Sequence, residues 1–370
     1  MASSKRLSWL DRVLLFINFT FVFFLFLAYA STWISPEKMW FLAFFGMAYP
    51  LFLLVNMGFF LYWLLKKRLW FFLSISAILF GWGHLNAFFA MNFPVGQKDE
   101  GTRHIKVMSY NVRLFDLYNW SENKKTKNKI FELITAEDAD IMCFQEFFHS
   151  PREAHFTTKD TIINNFRQHY CHDDYVQKTK YGHEFGIATF SAYPIVNKGR
   201  IVFVNDINNI CIWSDIKIGN DTIRVYNAHL ASIRLQANDY KFYNELNADM
   251  EQSEIEKGGR QIGRLLKRAF TKRAAQVEKI AAHMDGSPHA IIYCGDLNDT
   301  PVSYSYNVLT AQLNDAFCES GFGFGGTYIG DLPSYRIDHI MHSDALRSFG
   351  FKTLPDELSD HRPITCFVEW

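Results

Sequence analysis

The sequence predicts two unlike parts: a run of three membrane-spanning helices, then an α/β unit of two packed, mostly antiparallel sheets flanked by helices. Three observations carry this reading. Residues 1–92 are dominated by Phe, Leu, Trp and Met and contain three long apolar stretches. Beyond residue 103, short apolar runs of strand character follow one another with few long helical stretches between them. Most of these runs end in a carboxylate, a carboxamide or an imidazole. At 370 residues the chain also exceeds one comfortable core, which favours a division near residue 100.

The apolar stretches, at about 13–30, 39–65 and 69–91, each reach the roughly 20 residues that a helix needs to cross a ~30 Å hydrocarbon layer. None shows the polar face of a soluble helix. Lys5, Arg6 and Arg12 precede the first, and Lys66-Lys67-Arg68 separates the second from the third. Positive flanks stay in the cytoplasm, so three spans leave everything after residue 92 outside, on the external face of a bacterial inner membrane. Ala28-Tyr29-Ala30 resembles a signal-peptidase site, and cleavage there would not change that side. The six cysteines all follow residue 103, and Cys143, Cys211, Cys294 and Cys366 lie in apolar runs as buried thiols would. With 38 basic and 38 acidic side chains, the charge gives no support to a strong nonspecific hold on nucleic acid, although a local basic groove stays open.

After a linker at 93–103, the unit 104–370 begins with a strand at 105–110 that ends at Asn111. A charged helix at 124–136 follows, then a short strand at 141–144 ending at Gln145-Glu146. Strands are expected at 185–190, 201–204, 210–216 and 222–227, the last two joined by the turn Gly219-Asn220-Asp221. Strand 290–294 ends at Gly295-Asp296, strand 337–341 follows a Gly-rich loop, and 364–370 closes the chain. A charged helical insertion at about 232–283 breaks this rhythm. Its apolar stripe is Ile262, Leu265, Leu266, Ala269 and Phe270, and Arg260, Arg264, Lys267, Arg268, Lys272 and Arg273 fill much of the rest. Such a helix packs on its own domain or lies on an anionic lipid surface.

Hydrolysis of a phosphate ester needs a metal for the phosphoryl oxygens, a group that activates water, and donors for developing charge. Glu146, at the end of an apolar run, is a hard oxygen ligand of the type Mg2+ takes. Asp338 lies inside an apolar strand and needs a partner, while His361 precedes the last strand. Paired, they would make a general base held in one tautomer. Asp296 and Asn298 straddle Leu297 and would point the same way in extended chain, one toward the attacking water and one toward a phosphoryl oxygen. Asn227 and His229 repeat that spacing on another strand.

From about Arg103 to Trp370 the chain resembles the endonuclease/exonuclease/phosphatase superfamily, which contains deoxyribonuclease I, abasic-site endonucleases, bacterial sphingomyelinases and inositol polyphosphate 5-phosphatases. The resemblance rests chiefly on Gly295-Asp296-Leu297-Asn298 and Ser359-Asp360-His361-Arg362-Pro363-Ile364. It is supported in order by Ser109-Tyr110-Asn111-Val112, Phe144-Gln145-Glu146, Gly186 to Ser191, and Asn227-Ala228-His229-Leu230. It implies a four-layer α/β sandwich, with Asn111, Glu146 and Asp360 at the metal and His361 as the base oriented by Asp338. It implies too that Asp296 and Asn298 hold the nucleophile and phosphate and that His229 contacts the scissile phosphate. His339 departs from the family, where an aromatic residue is frequent after that Asp, and this would alter the polarity of the pocket.

The expected protein is a membrane-anchored phosphoesterase using Mg2+, or Mn2+ in its place, with the lipid bilayer as partner and a phospholipid or sphingolipid headgroup as substrate. A nuclease acting on DNA or RNA is the alternative, and an inactive binding module on the same fold is the third reading.

Overall fold

The computed structural model describes residues 7–92, 103–203, 206, 209–233, 252–330 and 333–370. Lys5, Arg6, most of the expected linker and 234–251 of the expected insertion lie outside them.

Six helices come first: α1 (Trp9–Ser31), α2 (Pro36–Met39), α3 (Leu42–Met47), α4 (Tyr49–Leu65), α5 (Phe71–Phe80) and α6 (Trp82–Phe88). Among the described residues only α1 is a single helix long and apolar enough to cross a membrane, which corrects the expectation of three. The second stretch is broken by the turn at Trp40-Phe41 between α2 and α3 and again at Ala48, just before Pro50 in the first turn of α4, leaving 17 residues in α4. The third bends by 72° between α5 and α6. Gly81 stands at that bend because a Cβ there would collide with the Tyr29 ring.

The helices pack with inverted polarity. Phe16, Phe23, Leu54 and Phe80 face outward, while Asn18, Asn56 and Ser74 are buried. Asn18 donates to Ser74 Oγ at 2.8 Å, Trp63 Nε1 donates to Asn18 Oδ1 at 3.1 Å, and Ser74 Oγ donates to Asn56 Oδ1 at 3.3 Å. Hydrogen bonds inside and apolar side chains outside are how helices associate in lipid. At the start of α1, Asp11 accepts from Tyr62 and lies 3.7 Å from Lys66, so α4 runs antiparallel to α1 and Arg12 and Lys66 share one end.

The remaining chain forms two six-stranded sheets. The first runs β13 (Arg347–Thr353), β14 (Ile364–Glu369), β2 (His104–Asn111), β3 (Ile141–His149), β5 (Glu184–Ser191), β4 (Tyr170–Lys178). The second runs β10 (Asn314–Asp315), β12 (Asp338–His342), β9 (Ala290–Asp296), β8 (Asp221–His229), β7 (Ile210–Ile218), β6 (Ile195–Ile201). Among the described residues only β2 with β3 and β8 with β9 pair in parallel, so each sheet is mixed but mostly antiparallel. A two-stranded pair, β1 (Ala90–Met91) with β11 (Phe322–Gly323), ties the end of the helical unit to the α/β unit.

Alternate residues of the inner strands fill the space between the sheets. Val107, Ile141 and Cys143 of one sheet meet Val225, Ile292, Cys294 and Ile340 of the other. Truncating such a side chain to Ala costs about 2–5 kcal/mol. On the outer faces, α7 (Thr126–Glu137) and α8 (Thr158–Asn165) cover the first sheet through Ile130, Ile134 and Ile162. The 33-residue α9 (Gln252–Met284) and α10 (Tyr304–Thr310) cover the second through Val277, Ile280, Met284 and Leu309. The order is helix, sheet, sheet, helix.

The helical unit rests on two loops of the second sheet, the one after β9 and the one before β12. Val302 belongs to the buried cluster that includes Leu25 and Tyr49, its carbonyl lies against Gly46, and Tyr335 donates to the Met47 carbonyl at 3.1 Å. On α9, Phe270 meets the Phe44 ring at 5.4 Å and Lys267 stands over Trp40 at 4.9 Å.

Candidate active site

Parallel pairing of β2 with β3 and of β8 with β9 brings four strand ends together, and β12 and the segment before β14 add two more residues from the facing side. Side chains from both sheets therefore meet at one pocket.

Glu146 reaches it through a bulge. The pairing of β3 with β5 slips between Phe144 and Phe147, and Glu146 takes a left-handed φ of 47°. β3 thus continues past Gln145-Glu146 to His149 rather than ending there, and the bulge re-aims one carboxylate out of the sheet. Such a conformation in a non-glycine residue costs energy and concentrates at functional sites. Loss of water, and then the charge of Asp360, raise the Glu146 carboxyl above its usual range.

His361 Nδ1 lies 2.8 Å from Asp338 Oδ2, and its Nε2 lies 3.7 Å from Asp296 Oδ2. Burial alone would depress this imidazole, but Asp338 and Asp296 beside it raise it to about 10. Asp296 faces Asp338 directly across the β9–β12 ladder. It is held by Asn111 Nδ2 at 3.0 Å and by the Asn298 backbone N–H at 2.8 Å. Burial raises its carboxyl to about 6, although His361 works against the rise. His229 Nε2 stands 3.7 Å from Asp296 and 3.8 Å from Glu146. Ser359 stitches the rim by donating to the Asn111 carbonyl at 2.8 Å while accepting from the His361 N–H.

Two expected arrangements differ. Asn298 is not extended beyond Asp296: its φ is 52°, and its side chain donates to the Leu230 carbonyl at 3.1 Å. Asn227 lies beneath the pocket rather than in it. Its carboxamide accepts from Gln145 at 2.8 Å and donates to the Phe144 and Ala188 carbonyls, joining the two sheets. Neither does His339 line the pocket. It points behind the strand, where Arg336 Nη1 lies 2.7 Å from its Nδ1.

Two residues at the rim went unnoticed in the sequence. Arg113 Nε lies 3.4 Å from Asp360 Oδ2 with its guanidinium 4.6 Å over the Trp120 ring. Tyr328 sets its ring edge-on to His361 at 5.5 Å. Their only signals were adjacency to Asn111 and a place in the Gly-rich loop.

Residues 108–361 match the Endonuclease/Exonuclease/phosphatase family, and the chain belongs to it. Members hydrolyse phosphate ester bonds with a divalent metal, and this chain is such a metal-dependent hydrolase. Residues 11–88 match a domain of unknown function (DUF8431). A family protein from Beutenbergia cavernae DSM 12333 is similar in structure at a TM-score of 0.51 and 15% identity, covering 72% of each chain. A family protein from Bacteroides thetaiotaomicron gives 0.51 and 17%, covering 73% of this chain and 98% of that one. The mannosyl-6-phosphatase of Bacteroides thetaiotaomicron VPI-5482 gives 0.50 and 17%, covering 72% and 100%. At these identities the likeness is one of fold. Comparison with curated proteins returns no match.

The donor set fits a divalent metal. Glu146 and Asp360 present hard oxygens at the open side, 36% and 24% exposed, and a cation between them would offset the Asp360 charge that adds to the rise of Glu146. Asp296, Asp338 and His361 also bring three potential ligand atoms within 4.8 Å of one another. That trio is buried and already joined by the His361–Asp338 hydrogen bond, so it reads better as an acid–base cluster than as the seat of an ion that keeps several waters.

Proposed function

We propose that this protein is a membrane-anchored, Mg2+-dependent phosphoesterase that acts on the phosphate ester of a phospholipid or sphingolipid headgroup at the external face of a bacterial inner membrane. One observation carries the reading: the apolar helical unit packs on the loops after β9 and before β12, beside Asp296 and Asp338. A pocket so held would open at headgroup depth. Trp33, Trp40 and Trp82, exposed at that end of the helices, fit an interfacial belt. Arg12 and Lys66 lie toward the other end of α1, about 29 Å from Ser31 by helix rise, which favours the catalytic unit outside. Residues 1–92 would then be the anchor and 104–370 the catalytic unit. Cleavage after Ala30 would remove Asn18 from its network with Ser74 and Trp63, so α1 is read as retained.

Glu146 and Asp360, with Asn111 behind them, would hold Mg2+, or Mn2+ in its place. Bound there, the ion neutralises phosphoryl oxygens and acidifies water. In this reading His361 Nε2 takes the proton of the attacking water while Asp338 fixes the tautomer. The surrounding carboxylates alone would keep His361 protonated, and positive charge at Glu146 and Asp360 opposes that field. Asp296 orients the water, Asn298 donates to a phosphoryl oxygen, and His229 protonates the leaving oxygen. Asn227 serves from below by holding Gln145, the neighbour of Glu146.

The test assays the full chain in detergent on a sphingomyelin-like lipid, a phosphoinositide, a sugar phosphate and a DNA oligonucleotide, with and without Mg2+. Mg2+-dependent release from a lipid is expected, and Glu146→Gln should lower turnover and raise the Mg2+ requirement with the fold intact. Cleavage of DNA alone would put the nuclease reading in its place, with the basic face of α9 as the groove. Metal binding without turnover on any substrate would leave a binding module.

A further inference from the structure

Behind the strand that carries Asp338 lies a buried charged cluster that the chemistry above leaves unused. Arg336 is 2% exposed. Its guanidinium pairs with Asp315 at 2.8 Å, meets His339 Nδ1 at 2.7 Å, and donates through Nη2 to the Ala87 carbonyl at 2.7 Å, at the end of α6. Tyr306 donates to the same Asp315 at 2.7 Å, and the guanidinium lies 4.3 Å over the Phe317 ring. Burial, and then the charge of Arg336, hold His339 below its ordinary range. The imidazole is therefore neutral, and Nδ1 accepts the bond. A family-typical aromatic side chain at 339 would offer no such acceptor.

We propose that Arg336, gripped by Asp315, His339 and the last turn of α6, is a positioning residue that sets Asp338 against His361. The proposal rests on the reading of Asp338 and His361 as the base pair. Arg336 precedes Asp338 by two residues, and the chain between them is pinned on both sides. The backbone N–H groups of Ile337 and Asp338 both donate to Thr327 Oγ1, at 3.0 and 3.1 Å, and the Ile337 carbonyl accepts from Leu297 at 2.8 Å. Leu297 sits between Asp296 and Asn298. A displacement at Arg336 thus reaches both Asp338 and Asp296. Beyond its backbone pairing with Asp296 and its bond to His361, the Asp338 carboxylate gains no further hydrogen bond through Oδ1, which is buried without a partner among the described residues. Lysine at 336 would keep the charge but could not span three partners that lie in different directions around a planar fork.

The experiment compares Arg336→Lys, His339→Phe and His339→Asn in the full chain. It reads kcat and KM on the substrate that the wild type hydrolyses, and the downfield Nδ1 proton of His361 in 15N-histidine-labelled protein. A misplacement near 1 Å costs about 10²-fold. Arg336→Lys and His339→Phe should therefore lower kcat by about 10- to 100-fold with KM nearly unchanged, and should weaken the Nδ1 signal. His339→Asn, which restores an acceptor for Arg336, should recover most of both. A folded Arg336→Lys variant with wild-type kcat and signal overturns the proposal, as does His339→Asn behaving like His339→Phe. Should Arg336→Lys fail to fold, the two His339 variants decide. Should His361→Ala keep full turnover while Arg336→Lys still loses the Nδ1 signal, the base-pair reading falls and the positioning role stands.

Discussion

The helical unit and the α/β unit both bury polar side chains, but to different ends. Asn18, Asn56 and Ser74 are buried among helices whose outer faces are Phe and Leu, and they bond one another across helices. The acidic and basic side chains of that unit stay at its ends and connections, as Asp11, Arg12, Glu37, Lys38 and Lys66 do. The α/β unit turns its apolar residues inward and gathers Asp296, Asp338 and His361, all buried, at the ends of its strands. Neutral polar groups serve cohesion in a unit suited to lipid. Charged groups are buried in the α/β unit beside partners of opposite sign that compensate them, at the candidate pocket as in the Arg336–Asp315 pair behind it.

The largest test of that contrast is at the pocket. His361→Ala and Asp338→Asn should each cut turnover by about 10²–10⁴-fold. The double variant should be little worse than the worse single, because the two residues act as one unit. Steady-state kinetics of the three variants checks this, and multiplicative losses would separate His361 from Asp338.

Stability against pH gives a smaller effect. His361 is held well above its ordinary value of 6.5 in the fold, so the folded chain binds that proton more tightly than the unfolded chain. Its contribution is complete below about 6.5 and is lost as pH climbs toward 10. The metal-free chain should therefore melt at progressively lower temperature over that range, and His361→Gln should flatten the slope. An unchanged slope in the variant would assign the dependence to other groups.

The smallest effect sharpens the comparison itself by making one substitution in both units. Asn227→Leu strands Gln145 between the sheets and should cost about 1–3 kcal/mol. Asn18→Leu should cost only about 0.6 kcal/mol, since in lipid the separated helices also find polar partners. Denaturation in detergent measures both. Equal costs would mean that the helical unit behaves as an ordinary soluble core.

Much of the α/β unit was legible because its inner strands carry strong apolar runs. Strands 105–110, 210–216, 222–227 and 290–294 all lie within β2, β7, β8 and β9. β4, Tyr-Cys-His-Asp-Asp-Tyr-Val-Gln-Lys, was missed because an edge strand has no need of a continuous apolar face. β13 was hidden by Gly350, which interrupts it at a φ of 63°. Hydropathy found the apolar stretches of the first 92 residues but could not see where the Trp40-Phe41 turn, Pro50 and Gly81 divide them, so three spans were expected where one continuous helix stands among the described residues. In the pocket, spacing identified which residues share a strand face but not their depth. Asn227 shares its face with His229 yet sits about 7 Å further down the strand, beneath the pocket. The bulge at Glu146 and the cage around Arg336 depend on contacts from distant segments, which no local pattern carries.

The most direct test of the account offers one phosphoester headgroup in two forms, on a vesicle-borne lipid and on a short-chain soluble analogue below its micellar concentration. The full chain is reconstituted in the same vesicles with Mg2+. A pocket held at headgroup depth should turn over the vesicle-borne form with a kcat/KM at least about tenfold higher, an advantage of some 1.4 kcal/mol. Equal or faster hydrolysis of the soluble form would contradict the claim that the helical unit brings the active site to the membrane surface.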